Sequence, residues 1–329
     1  MNGFGVELRD LRVHFGATVA LGGVTAAFHP GTISGLLGRN GSGKSTLFSV
    51  IAAFRRPSGG SVRVDGEAPW ENPRVVAGIA LVREGGDLPD VRVGEVLRYG
   101  AAMRPTWSGE VAERLLARFD LPARTRVEHL SRGQRGALAA VVGIASRAPL
   151  TLLDEVTLGM DAPTRYACYD ELLADYLVHP RTVILASHLI EEVDRLLEHV
   201  VVIDRGRVLV ADEADTLRAR GVRVVGEAAR VDAFIGNASV LRRETIGRSA
   251  VVTLYGDLGV DARTRAREKE LDMHPLPLQD LFVHLTERPG AAERLGSADR
   301  SGAGAPPDGA DRPGVTDTPS AAETSGGAQ

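Results

Sequence analysis

The stretch that most constrains the fold is GRNGSGKST at residues 38–46, which fits the phosphate-loop pattern G-x-x-x-x-G-K-[ST]. The apolar run ISGLL precedes it and predicts a buried strand, whereas KSTLFSVIAAF follows with apolar residues at helical spacing. Strand, glycine loop and helix are the context that a phosphate loop requires. The segment therefore predicts an α/β core that binds a nucleoside triphosphate.

Each part of this loop has an expected task. Backbone N–H groups and the following helix N-terminus attract phosphates, Lys44 adds a full positive charge, and Ser45 offers its hydroxyl to Mg²⁺. Lys44 stands out because Lys269 is the only other lysine in the chain. The predicted nucleotide-binding residues are Gly38, Arg39, Asn40, Gly41, Ser42, Gly43, Lys44, Ser45 and Thr46.

Composition narrows the choice of partners and compartment. With a net charge of −4 and 5% aromatic residues, the chain has neither the basic footprint nor the stacking residues typical of nucleic-acid binding. No apolar run approaches the roughly 20 residues that span a bilayer, and charges interrupt the N-terminus where a signal peptide is apolar. We therefore expect a cytoplasmic protein, whose single Cys168 is a buried or bystander thiol.

The rest of the first 215 residues predicts the remainder of an α/β core. Strand-like runs before residue 36 are separated by turn signals, one of them at Gly22-Gly23. The pattern from about Val91 to Ala148 is helical, and the short β-rich runs LTLLDE (150–155) and TVILAS (182–187) are typical of buried parallel strands. Strands that alternate with helices favour an α/β fold.

A second, smaller pattern follows over residues 216–287. It predicts strand, helix, hairpin, helix and strand, closed by a helix at LPLQDLFVHLTE, with the hairpin turning near IGRS. We interpret it as a small α+β C-terminal domain. From Arg288 to the end, Gly, Ala, Pro, Ser and Asp dominate, which predicts a disordered tail over 288–329.

Two acidic residues end the apolar strand LTLLDE, where an α/β sheet presents its ligand-binding edge. Such a pair can divide the work of hydrolysis between them. Asp154 would hold Mg²⁺, directly or through water, and Glu155 would act as general base on the attacking water.

Neither a small-molecule kinase nor a GTPase needs the segment LSRGQR at residues 130–135. Together with GRNGSGKST, LLDE, TLGMD and ASH in this order, it resembles the ATP-binding cassette (ABC) ATPases, specifically the nucleotide-binding subunit of an ABC transporter. The resemblance covers residues 1 to about 215. It implies a P-loop NTPase core of ABC type with a helical subdomain at about 88–148 and an antiparallel β-subdomain, and it implies ATP as the nucleotide.

The resemblance assigns further roles by position. Phe15 would stack on adenine, and His188 would be the switch histidine that contacts the γ-phosphate. Asp161 would lie in a loop that crosses between two subunits. The signature residues Ser131, Gly133 and Gln134 would contact ATP bound to the opposite subunit, ahead of a helix that begins near Arg135.

The chain departs from the family pattern at the glutamine that senses Mg²⁺ and couples to the membrane domain. Arg83 stands at that position, with Glu84 beside it. Because arginine cannot ligate Mg²⁺, either Glu84 or a water replaces the glutamine, or coupling runs differently. Arg132 also replaces a signature glycine, and Val156 replaces the proline that usually follows the catalytic glutamate.

The resemblance implies an ATPase subunit that pairs with a second ATP-binding chain and drives a separate transmembrane permease from the inner face of the membrane. LPLQDLFVHLTE is similar to the closing segment of bacterial exporter subunits, which favours export. Two alternatives stay open. The first is a catalytically weak regulatory subunit in a heterodimer, which Arg83 and Arg132 suggest. The second is a soluble ABC ATPase without a transport role.

Overall fold

A computed structural model describes residues 3–83, 85, 88–236, 238–259 and 261–287. The tail from Arg288 onward, predicted to be disordered, lies outside these ranges, as does Glu84. Within them, no helix combines the length and the apolar composition needed to cross a membrane.

The centre of the molecule is a mixed sheet in the order β5-β6-β7-β3-β8-β9. Its strands are β3 (Ile33–Leu37), β5 (Ile79–Arg83), β6 (Leu150–Asp154), β7 (Thr182–Ser187), β8 (His199–Asp204) and β9 (Arg207–Glu213). They pair in parallel except for β9, which runs antiparallel to β8. Every residue of β3, β6 and β7 is buried, which confirms the interpretation of these apolar runs as central parallel strands.

An antiparallel sheet in the order β2-β1-β4 lies at the N-terminal end of the chain. It comprises β1 (Val6–Phe15), β2 (Thr18–Phe28) and β4 (Gly59–Val64). The turn predicted at Gly22-Gly23 is wrong, because both glycines lie inside β2 next to irregularities in its register with β1. Gly23 has a φ of 101° and Gly22 donates its N–H to the Gly206 carbonyl at 2.9 Å, so these glycines serve a bulge and a long-range contact.

Helices surround the central sheet. They are α1 (Lys44–Ile51), α2 (Pro73–Ala77), α3 (Val93–Met103), α4 (Gly109–Arg118), α5 (Arg132–Ser146), α6 (Ala162–Val178) and α7 (Ile190–Val193). The helix expected to begin near Arg135 begins at Arg132, three residues earlier, because Ser131 caps it. Cys168 of α6 is buried, and burial raises the pKa of its thiol to about 12. This confirms the prediction of a buried thiol.

The C-terminal region follows the predicted order of elements. Its elements are α8 (Ala214–Arg220), β10 (Gly221–Glu227), α9 (Ala228–Ile235), β11 (Ser239–Ile246), β12 (Ser249–Tyr255), α10 (Ala262–Glu268), β13 (Asp272–Pro275) and α11 (Leu278–Glu287). The strands form an antiparallel sheet, β11-β12-β10-β13, and the hairpin turns between Ile246 and Ser249 as expected.

Two apolar clusters flank this C-terminal sheet. Val231 of α9 and Ala266 of α10 pack with the inner residues of β10 and β12 in a core of their own. Tyr255 and Leu281, on β12 and α11, belong instead to the main core of the molecule. The C-terminal sheet therefore packs against the rest of the chain as well as against its own helices.

Candidate functional site

The phosphate-loop segment connects β3 to α1 in a tight conformation that depends on glycine. Gly41 and Gly43 have φ values of 77° and 109°, in the left-handed region that favours glycine. A Cβ at Gly38 would lie 2.4 Å from Ser42 Oγ and 2.5 Å from the Ile203 carbonyl oxygen. The glycines thus permit backbone turns and close approaches that larger residues would prevent.

Lys44, the first residue of α1, points into the interior of this site, where 6% of its side chain is exposed. Its Nζ donates to the Gly38 carbonyl oxygen at 2.7 Å and lies 3.4 Å from Glu155 Oε1. The ammonium group therefore joins the phosphate-loop segment to the acidic pair at the end of β6.

Asp154 is the last residue of β6 and is buried. Burial raises the pKa of its carboxyl group, and a hydrogen bond with the Ser45 side chain opposes that effect. Glu155 also raises the pKa, whereas Lys44 and Arg83 lower it. Among the described residues, Asp154 Oδ1 has no hydrogen-bond partner. This oxygen remains able to accept a donor or a cation.

Glu155 follows at once and adopts a φ of 52°, which is uncommon for a residue with a side chain. Its N–H donates to the Ala186 carbonyl oxygen at 3.0 Å, which fixes the Glu155 backbone against the neighbouring strand β7. Glu155 Oε2 lies 2.7 Å from His188 Nδ1. Strands β3, β6 and β7 thus bring Lys44, Glu155 and His188 together at their carboxyl ends, although they lie far apart in the sequence.

The signature residues form the N-terminus of α5. Ser131 Oγ accepts from the Gln134 N–H at 3.2 Å, and Gln134 Oε1 accepts from the Ser131 N–H at 3.0 Å, which makes a reciprocal capping box. A Cβ at Gly133 would lie 2.8 Å from the Gly159 carbonyl oxygen. The first turn of α5 therefore packs closely against the loop that follows Glu155, and the Arg132 side chain lies over Gly159 in the same place.

Asp161 ends that loop and caps α6. Its Oδ1 accepts from the Thr164 N–H at 2.9 Å, and this hydrogen bond holds the pKa of the Asp161 carboxyl below its usual value. Inside the loop, the Thr157 hydroxyl lies 2.9 Å from the Tyr169 hydroxyl, and both groups are buried. Helix α6 therefore holds the loop at two points.

Arg83 ends β5 and is aligned with Asp154 in the parallel register. Its Nη2 donates to Ser49 Oγ at 3.3 Å, and its guanidinium lies 4.9 Å from the centre of the Phe54 ring. The side chain thus lies between the acidic pair and an exposed aromatic residue.

Phe15 lies at the end of β1 and is 45% exposed. The Arg55 guanidinium stacks over its ring, 4.0 Å from the centre. An exposed aromatic ring in this place can stack on a planar ligand, and Arg55 is a neighbour that the sequence did not indicate.

Two further polar residues near the site were absent from the predictions. Arg165 and Glu192 form a close ion pair, with Arg165 Nη2 at 2.7 Å from Glu192 Oε1. A signal was available, since each residue follows a predicted site residue, Asp161 or His188, by four positions.

Comparison with known proteins gives concordant matches. Residues 21–158 match the model of the ABC transporter family. The chain is 28% identical over 298 residues to "Nod factor export ATP-binding protein I" of Cupriavidus pinatubonensis, which covers 86% of this chain and 91% of that protein. It is 31% identical over 209 residues to the protein of the same name from Cupriavidus metallidurans, which covers 61% of this chain and 69% of that protein.

A solved structure described as "Structure of ATP binding subunit of ABC transporter" superposes with a TM-score of 0.59 at 25% identity. The superposition covers 65% of this chain and 91% of the other. The family match, by its range, includes the phosphate-loop segment, the signature residues and the acidic pair.

Proposed function

Since this chain belongs to the ATP-binding subunits of ABC transporters, we propose that it closes around two ATP molecules with a second copy or a related chain and drives a separate membrane-spanning subunit. It is an ATPase of that family. We propose export as the direction, because relatives that align over most of the chain are named for export. The convergence of Lys44 and His188 on Glu155 is the observation that carries this proposal.

In the proposed reaction, the N–H groups of residues 38–46 and the N-terminus of α1 hold the β- and γ-phosphates, and Lys44 adds its charge. Glu155 accepts the proton of the attacking water as general base. His188, at 2.7 Å from Glu155, orients that carboxylate and contacts the γ-phosphate. We propose that Phe15 stacks on the adenine, which its exposure at the end of β1 permits.

Mg²⁺ fits the residues present. Asp154 Oδ1 is a buried oxygen without a hydrogen-bond partner among the described residues, and the Ser45 hydroxyl bonds to the same carboxylate. Hydroxyl and carboxylate oxygens are the ligand types that Mg²⁺ prefers. Ser45 and Asp154 would hold the ion, which when bound neutralises charge on the phosphates.

The second ATP-binding chain would complete each site. We propose that Ser131, Gly133 and Gln134 contact the γ-phosphate of ATP on the opposite subunit, and that Asp161 lies in the interface between subunits. The N-terminal end of the 15-residue helix α5 supports this role, because it carries the positive end of the helix dipole.

The membrane-spanning subunit requires a docking surface, and we propose that it inserts a short helix into a groove of about 520 Å³ beside β5. The groove is lined mainly by apolar residues, among them Phe54, Trp70, Val76 and Leu81, together with the polar residues Glu71, Asn72 and Arg104. Because Phe54 also contacts Arg83, we propose that Arg83 carries the coupling role expected at its position. Glu84, expected beside it in that role, lies outside the described residues.

A role for residues 216–287 is part of the proposal. We propose that this region regulates or braces the dimer, and removal of residues 221–329 should then alter ATP hydrolysis or dimerisation. The cut leaves α8 in place but removes Tyr255 and Leu281 from the main core, so the melting temperature of the shortened chain is the control that separates regulation from unfolding.

The test compares Glu155→Gln with Lys44→Ala by gel filtration with saturating ATP and Mg²⁺. Glu155→Gln should bind ATP and accumulate as a dimer because the general base is lost, whereas Lys44→Ala should stay monomeric because phosphate binding is lost. A Glu155→Gln variant that binds ATP but stays monomeric would contradict a homodimer. Steady-state hydrolysis that appears only with a related chain would then identify the weak regulatory subunit.

A further inference from the structure

The Arg165 side chain makes a set of charged contacts near the proposed site. Its Nε lies 3.0 Å from both Glu192 Oε1 and Glu192 Oε2, and its Nη2 lies 2.7 Å from Oε1. Its Nη1 donates to the Met160 carbonyl oxygen at 2.8 Å. The two side chains are only 22% and 12% exposed, so this forked pair is screened far less than a surface ion pair.

The partners of Arg165 lie in two different structural elements near the site, a loop and a helix. Met160 is the residue before Asp161, in the loop that is proposed to face the second subunit. Glu192 lies on α7, four residues after His188. Arg165 therefore connects the interface loop directly to the helix that begins two residues after the switch histidine.

Helix α7 is a single turn of four residues with little stability of its own, so contacts with the rest of the chain hold it: Ile190 and Val193 are buried in the main core, and Glu192 pairs with Arg165. His188 lies between the end of β7 and the start of α7, so its side chain responds both to the strand and to the contacts that hold the helix. Because the rigid, planar guanidinium group of Arg165 contacts both residues, a displacement of Met160 would also displace Glu192.

We propose that Arg165 is a positioning residue that couples the interface loop to His188, so that closure of one subunit against the other sets the Glu155–His188 contact. This inference rests on the proposed dimeric ATPase. The coupling is reciprocal, because any state of His188 that moves Glu192 also shifts the loop.

The test measures ATP hydrolysis against ATP concentration, together with the affinity for trinitrophenyl-ATP, for wild type and three variants. Arg165→Ala should lower kcat by roughly 10- to 100-fold, the order expected for a misplacement of about 1 Å. Nucleotide affinity should change less than about twofold, and the Hill coefficient should fall towards one because the two sites no longer communicate.

Arg165→Lys separates positioning from folding. Lysine keeps the charge and the aliphatic stem but cannot bond Glu192 and Met160 together, so we expect an intermediate kcat at an unchanged melting temperature. Arg195→Ala is the matched control, because Arg195 on the segment after α7 pairs with Asp170 of α6 at 2.6 Å on the exposed surface. It should leave kcat and cooperativity as in wild type.

The outcomes distinguish this inference from the proposed function. A wild-type chain that neither hydrolyses ATP cooperatively nor dimerises with ATP would contradict the dimeric ATPase itself. If wild type is cooperative while Arg165→Ala and Arg165→Lys match Arg195→Ala, the coupling role is overturned. A loss in Arg165→Ala that Arg165→Lys fully restores, with the Hill coefficient unchanged throughout, would likewise assign the pair to stability alone.

Discussion

Replacement of Asp175 by alanine should destabilise the protein strongly, because Asp175 neutralises two arginines behind the site. Arg147 Nη2 lies 2.7 Å from Oδ1 and Arg181 Nη1 lies 2.8 Å from Oδ2. The Asp175 and Arg181 side chains are 2% and 3% exposed. The cluster joins the end of α5 to the C-terminal part of α6 and to the start of β7.

The magnitude follows from what the substitution leaves behind. Burial already lowers the pKa of Arg181, and without Asp175 its charge would be buried and unpaired. Breaking a buried pair in this way costs about 3–5 kcal/mol in the free energy of unfolding. At 2–4 °C per kcal/mol for a domain of this size, the melting temperature should fall by about 6–20 °C.

The assay is thermal unfolding followed by circular dichroism, supported by urea titration. Asp170→Ala is the matched control, because Asp170 lies on the same helix and pairs with Arg195 at 2.6 Å, but with side chains that are 60% and 52% exposed. We expect it to cost about 0–1 kcal/mol. Equal losses in the two variants would refute the reasoning, since burial and not distance is the claimed cause.

Two more predictions concern the loop and the pH dependence. Gly38→Ala should weaken trinitrophenyl-ATP binding by roughly tenfold or more, because the added Cβ would meet Ser42 Oγ and the Ile203 carbonyl oxygen. Overpacking of this kind costs about 1–3 kcal/mol. Gly109→Ala is the control and should bind the nucleotide normally, since the space around Gly109 is open. Burial lowers the pKa of His199, so stability should be complete above about pH 6.5 and fall as the pH drops below it. Urea unfolding of His199→Phe across that range should show a flatter dependence, and an unchanged slope would contradict the assignment.

The local elements of this chain were predictable because their signals lie within a few residues. The glycines and Lys44 at residues 38–46, between an apolar run and a helical pattern, specify a strand, a turn and a helix without help from elsewhere. The C-terminal hairpin between Ile246 and Ser249 was predictable for the same reason. Local propensity and hydrophobic period agree at these positions.

Local signals failed where a distant contact decided the conformation. Gly22 and Gly23 have the composition of a turn, yet they lie inside β2, because Gly22 bonds to Gly206 and Gly23 occupies a bulge beside β1. The start of α5, by contrast, carries a local signal, because Ser131 and Gln134 have the spacing of a capping box. Only the packing of Gly133 on Gly159, which also holds the first turn of this helix, depends on residues farther along the chain.

The sequence by itself determined which residue types are available for ATP chemistry and the order in which they occur. Only the tertiary structure decided that they meet, because β3 pairs with β7 and β8, strands that lie far along the chain from it. The order β6-β7-β3 brings Glu155, His188 and Lys44 to one edge of the sheet. The same packing places Arg165 between Met160 and Glu192. The spacing of these residues along the chain can be read from the sequence, but their distance in space cannot.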